Sequence, residues 1–191
     1  MDSIVDSLMK QVATGDNLSM ISKSVGADNN AVQSALGMGI PMLVGSMSNT
    51  AAKPGGADMI SKMMSGMGGS NPMDNLGSFL GNPSAAGGSG MVNMLLGSQM
   101  GGIQNAISQK TGLPPAIVGK ILEIAAPMVM GYVSKMSGGQ PDQKALTSLL
   151  GEQSKMAMQS SPDAAAMAQQ LLGGNESGGA LGGTLKKLFG K

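Results

Sequence analysis

The residues of this sequence whose chemistry is least ordinary are its methionines, of which there are 20. Met59, Met63 and Met67 recur every four residues, a spacing that places three thioethers on one face of a helix. Thioether sulfur is a soft ligand that suits Cu(I), and flexible methionine side chains also suit an adaptable protein-binding surface. The ordinary alternative is a hydrophobic face that packs inside the protein, and the spacing is compatible with all three.

The rest of this helix favours contact with another protein. Its circumference is largely apolar, and only Asp58 and Lys62 supply charge. A surface helix normally has charged residues along the face that is turned to solvent. The candidate interaction surface consists of Met59, Ile60, Met63, Met64 and Met67. Charged residues make up only 12% of the chain, which weakens the repulsion that keeps monomers apart. We therefore predict a homo-oligomer, or contact with a protein partner, through this face.

Two segments have the spacing of a helix-turn-helix, the DNA-binding unit of bacterial repressors. Residues 21–36 and 107–122 each contain a helix, a turn glycine, and a Val four residues before a Leu. DNA binding needs cations for phosphate contacts and side chains that reach base edges, but the chain has no Arg and a net charge of +1. The same geometry is a common way to pack two short helices. Specific DNA binding is therefore not expected, and a weak DNA-binding or nucleoid-associated module is the alternative function.

The composition excludes most catalytic chemistry. The chain has no Cys and no His, which removes thiol nucleophiles, imidazole bases and zinc fingers. Its 11 acidic residues are scattered singly, with no paired carboxylates for metal binding or acid–base work. Lys120 follows Gly119 without the rest of a phosphate-binding loop, and Lys110 precedes Thr and Gly without the partner motifs of a penicillin-binding protein. We predict a non-enzymatic protein with no cofactor and no bound metal.

An internal repeat supplies the elements that would position these residues. Residues 15–48 align without a gap on residues 101–134, at an offset of 86, and 10 of 34 positions are identical. The identical pairs include Gly26 with Gly112, which are suited to the left-handed position that ends a helix, and Pro41 with Pro127. We therefore expect two pseudo-equivalent units.

Each unit contains an apolar stripe with the period of an amphipathic helix, beginning at Val32 in the first copy and at Val118 in the second. Each stripe runs through a proline, which lacks an N–H and predicts either a kink or a division into two abutting helices. Shorter helices are predicted over residues 57–67, 73–80, 142–150 and 161–172, and no segment alternates with the period of a strand. The predicted fold is all-α.

The composition also predicts the domain plan. Residues 1–81 form a first small helical bundle, residues 91–172 form a second, and residues 82–90 (NPSAAGGSG) form a linker. Residues 173–191 form a Gly-rich tail whose end, 181–191, combines three Lys with Leu and Phe. This end would bind an anionic membrane surface only weakly, and membrane association is a second alternative function. No targeting signal or membrane span is visible in the sequence, so we expect a cytoplasmic protein.

The order of these features resembles a known family. A helical start, a Gly stop, a V-x-x-x-L stripe and a Pro-Met pair followed by Gly resemble the bacterial domain-of-unknown-function 937 family. Residues 91–138 look most typical of that family, and the Gly-rich tail that closes in residues 185–191 is also similar to it. The resemblance implies a bacterial, helical protein, and it implies no catalytic residues.

Overall fold

Helices form almost all of the described chain. The computed structural model describes residues 3–12, 15–66, 72, 76–81, 87–138 and 142–172, of which 89% are helical and none forms a strand. The prediction of an all-α fold is confirmed. The α-helices within these ranges are α1 (Ile4–Val12), α2 (Gly15–Val25), α3 (Asn29–Ala51), α4 (Gly56–Gly66), α5 (Leu76–Gly81), α6 (Gly88–Leu96), α7 (Met100–Thr111), α8 (Pro115–Met136), α9 (Gln143–Ser160) and α10 (Pro162–Leu172).

Helices α3 and α8 form the centre of the protein. Residues 38–44 of α3 and 124–131 of α8 are all buried, so the middle of each helix is enclosed on every side. The amphipathic stripe predicted from the sequence therefore describes only the outer turns of these helices. The middle of each helix is apolar on every side, as expected for a helix that other helices enclose. Helix α3, for example, contacts helices from both halves of the chain, including α2, α4, α8 and α9.

Each of these two helices continues through its proline as a single element. Of the two predicted alternatives, a kink or a division into two abutting helices, the division is not observed. Pro41 has no N–H to donate to the Gly37 carbonyl, which would be its helical partner four residues back. Ser161, at the junction of α9 and α10, donates from its Oγ to that carbonyl at 3.2 Å. A hydroxyl 124 residues away in the chain therefore replaces the missing helical hydrogen bond.

Helices α2 and α7 are each followed by a left-handed glycine. The φ angle is +72° at Gly26 and +74° at Gly112, a conformation in which a side chain would be strained. After the first glycine, the Asp28 carboxylate accepts a hydrogen bond from the Asn30 N–H at 2.8 Å and caps α3. The second long helix, α8, begins with Pro115, whose fixed φ suits the first turn of a helix. The two units thus start their long helices by different local chemistry.

The buried side chains of the two predicted bundles form one continuous hydrophobic cluster. Helix α3 packs most extensively on α9 and α8, which lie in the other half of the chain. At its crossing with α8, a β-carbon added to Gly39 would lie 2.8 Å from Leu122 Cδ2, so the two helices approach closely there. The prediction of two separate bundles is not confirmed. Of the predicted linker, residues 88–90 belong to α6, and residues 82–86 lie outside the described residues.

Helix α1 is a nine-residue element that the repeat does not predict. Ile4 is fully buried at its start, and the Ile4 N–H donates to Gln153 Oε1 on α9 at 2.7 Å. The next free N–H, that of Val5, donates to Ser3 Oγ at 3.2 Å. The first two backbone N–H groups of α1, which have no partner within the helix, are therefore satisfied by side chains. One acceptor is the local Ser3 and the other is Gln153, which lies 149 residues away.

Among the described residues, α8 is the one helix that is long and apolar enough to cross a membrane. Its most apolar stretch has a mean hydropathy of 1.6, and 72% of that stretch is buried inside the protein. The core helix of a globular protein passes the same test of length and composition. Helix α8 packs against α3, α6 and α7, and this burial is sufficient to explain its apolar composition.

Candidate functional site

The predicted methionine face lies on α4 and is divided between the core and the surface. Ile60 is fully buried and Met64 is 3% exposed, so these two residues belong to the core rather than to an interaction surface. Met59 is 38% exposed and Met63 is half-buried, so both reach the surface. Met67 lies outside the described residues. The helical period explains this division, because residues 60 and 64 share a stripe about 100° away from that of residues 59 and 63.

A methionine from a different helix joins this surface. Met94, on α6, is 48% exposed, more than any other large hydrophobic side chain in the described ranges. Met59, Met63 and Met94 line one surface pocket of about 560 Å³. We call these three residues the methionine cluster. Met94 follows the predicted linker and lies outside the α4 pattern, so only the packing of both α4 and α6 on α3 and α8 brings it to this place.

The remaining lining of this pocket is Gly55, Asp58 and Lys62. Asp58 and Lys62 are exposed and of opposite charge, so the edge of the methionine cluster is neutral in sum. The Asp58 carboxylate also accepts a hydrogen bond from Gln143 Nε2, which ties the start of α4 to the start of α9. An apolar surface with this edge can meet another protein without a large charge penalty.

The two segments predicted to resemble a helix-turn-helix lie on consecutive helices, the first on α2 and α3 and the second on α7 and α8. Within residues 21–36 the charged side chains are Lys23 and Asp28, which are both exposed and opposite in sign. Within residues 107–122 they are Lys110 and Lys120, and Lys110 forms a salt bridge at 2.9 Å with Asp163 of α10. Neither unit therefore presents the row of cations that phosphate contacts require.

The described parts of the chain hold no group of three or more His, Cys, Asp or Glu side chains that could bind a metal ion. The thioethers of the methionine cluster are donors of a different kind, since sulfur in methionine is neutral and soft. The three methionine side chains therefore offer apolar contact and soft-ligand binding.

Comparison with known proteins decides the family. The family model described as "Bacterial protein of unknown function (DUF937)" matches residues 6–136. The chain belongs to this family. The DUF937 match includes both helix–glycine–helix units and the methionine cluster, and it ends before α9. It does not reach residues 185–191, so the similarity of the tail to the family stays a prediction. No curated protein and no solved structure matches the chain.

Proposed function

We propose that this DUF937 protein works through protein–protein contact and self-associates through the methionine cluster. The observation that carries the proposal is the exposure of Met59 and Met94, at 38% and 48%, in one pocket. Single exposed hydrophobic residues are ordinary on a protein surface. Met59, Met94 and the half-buried Met63 instead line one pocket together, and grouping of apolar side chains on a surface favours an interaction site. Flexible thioether side chains also pack adaptably against a partner.

The charges at the edge of the cluster favour a second copy of the chain as the partner. In a two-fold dimer both protomers use the same patch, so Asp58 of one protomer can face Lys62 of the other. A patch with one charge of each sign is self-complementary in this arrangement, whereas a patch with two like charges would repel its copy. The neutral edge of the methionine cluster therefore suits a symmetric dimer.

The internal repeat indicates where the methionine cluster lies along the chain. We infer that residues 15–48 and 101–134 are two copies of one unit, because each consists of a helix, a left-handed glycine and a long helix with an internal proline. Helix α4 follows the first unit and α6 precedes the second. The methionine cluster thus lies where the chain passes from one unit to the other. A non-enzymatic role is part of the proposal, on the composition of the chain, and a cytoplasmic location stays a prediction.

Sedimentation equilibrium at micromolar protein concentration tests self-association. We expect the wild-type chain to have a mass above the 19.0 kDa of the monomer. Met94→Lys should shift the population to the monomer, because a charged side chain would have to be desolvated in the contact. The fold should survive this change, since about half of the Met94 side chain is already exposed.

Met136→Lys is the matched control. Met136 lies at the end of α8, is 37% exposed and does not line the pocket of the methionine cluster. This variant should associate as the wild-type chain does. A wild-type mass of 19.0 kDa at every concentration would refute the proposal, and so would equal association of the Met94→Lys variant and the wild-type chain.

A further inference from the structure

We propose that the methionine cluster is also a binding site for a soft monovalent cation, Cu(I), for which Ag(I) is the redox-inert equivalent. This proposal departs from the prediction of no bound metal, which is based on the lack of Cys, His and paired carboxylates in the sequence. The donors are the Sδ atoms of Met59, Met63 and Met94, because these three residues line the same pocket. This property is separate from self-association, because it depends on sulfur as a ligand rather than on apolar area.

Two helices bring the three donors together. Met59 and Met63 are four residues apart on α4, so their β-carbons lie about 5–6 Å apart on one face of the helix. Met94 enters the same pocket from α6. Methionine is unbranched and rotates about three side-chain bonds, so the sulfurs can adjust to a common ion. In the monomer, partial exposure of all three side chains leaves the pocket open to an ion from solution.

The composition of the chain leaves the methionine thioether as the side-chain group that can bind a soft metal ion. The sequence contains no Cys and no His, so neither thiolate nor imidazole can compete for a soft metal. Thioether ligands select Cu(I), whereas Zn(II) prefers thiolate and imidazole and Mg(II) prefers oxygen. The cluster should therefore bind Cu(I) and Ag(I) but not Zn(II).

The two charged groups at the edge of the pocket do not prevent cation binding. The Lys62 ammonium opposes a cation, but its long exposed side chain can extend into water. The Asp58 carboxylate lines the same pocket and offsets that charge. The thioethers themselves carry no proton at neutral or mildly acidic pH, so binding releases none, in contrast to thiolate and imidazole sites. Affinity should therefore change little between about pH 6 and pH 8.

The experiment uses the full chain, titrated anaerobically with Cu(I) in competition with a coloured Cu(I) chelator and with Ag(I) by calorimetry. We expect Met59→Leu and Met94→Leu each to lower the affinity at least about tenfold, because loss of an inner ligand should cost no less than loss of an outer-shell partner. Met20→Leu is the control, since Met20 is 37% exposed on α2 and lies outside this pocket.

The leucine variants separate this site from self-association. Leucine keeps the size and apolar character of methionine, so Met94→Leu should retain association while it loses Cu(I) and Ag(I) affinity. Equal affinity of the wild-type, Met94→Leu and Met20→Leu proteins would overturn the metal site and leave self-association standing. Cu(I) affinity that falls steeply as the pH is lowered from about 8 to about 6 would overturn the metal site as well. A monomeric wild-type protein whose Cu(I) binding depends on Met94 would instead refute self-association and support the metal site.

Discussion

The hydrogen bond from Ser161 to Gly37 should stabilise the protein only while residue 41 is a proline. In an unbroken helix the Gly37 carbonyl would accept the N–H of residue 41, and Pro41 has none. Ser161 Oγ donates to this carbonyl at 3.2 Å in a part-buried position. Ser161→Ala removes that donor, and we expect it to lower the free energy of unfolding by about 1 kcal/mol, the net contribution of a typical intramolecular hydrogen bond.

A double-mutant cycle isolates this contribution. Pro41→Ala supplies an N–H that can bond to the Gly37 carbonyl within α3, so Ser161→Ala should then cost almost nothing through this bond. The expected coupling free energy is about 1 kcal/mol. Ser161 also stands immediately before α10, but any effect of the substitution on that helix is the same in both backgrounds and cancels.

Urea denaturation followed by far-UV circular dichroism gives the free energy of unfolding of the four proteins in the cycle. Similar m values would show that each variant exposes the same surface on unfolding, so that the free energies can be compared. Ser160→Ala, at an exposed position next to Ser161, should be close to neutral. Equal losses from Ser161→Ala in the wild-type background and in the Pro41→Ala background would refute the reasoning.

Two further substitution pairs test the packing of the core by urea and thermal unfolding. Gln153→Leu should lower the free energy of unfolding by about 1–3 kcal/mol, because the buried Ile4 N–H loses its acceptor, and amide exchange should quicken most in α1. Gln159→Leu, exposed on the same helix, should stay within about 0.5 kcal/mol of wild type; an equal loss there would contradict this reading. Gly151→Ala should stabilise by up to about 1 kcal/mol, since the space around its β-carbon is open. Gly39→Ala should bring no such gain, because its β-carbon would lie 2.8 Å from a leucine methyl of α8; equal stability of the two alanine variants would contradict the close crossing.

The sequence by itself determines the secondary structure of most of the chain. Apolar residues at helical spacing predict α3, α4 and α8, and a glycine follows both α2 and α7 with φ above +70°. These features depend on residues within about four positions of one another, which a pattern along the chain contains. Helix α1 has the same kind of signal, since Ile4, Leu8 and Val12 recur at four-residue spacing, although it lies outside the repeat. Family membership could also be predicted, because the order of glycines, stripe and Pro-Met pair is a property of the sequence.

Only the tertiary structure decided which of these residues meet. It placed Ile60 and Met64 in the core and Met59 at the surface, and it brought Met94 of α6 beside them. It also placed the Ser161 hydroxyl where it donates a hydrogen bond to the Gly37 carbonyl, 124 residues away. Such pairings depend on how helices from both halves pack around the enclosed middle of α3, where burial is decided by neighbours that are distant in the chain. A local pattern indicates that a face is apolar, but the packing of the whole molecule determines what covers that face.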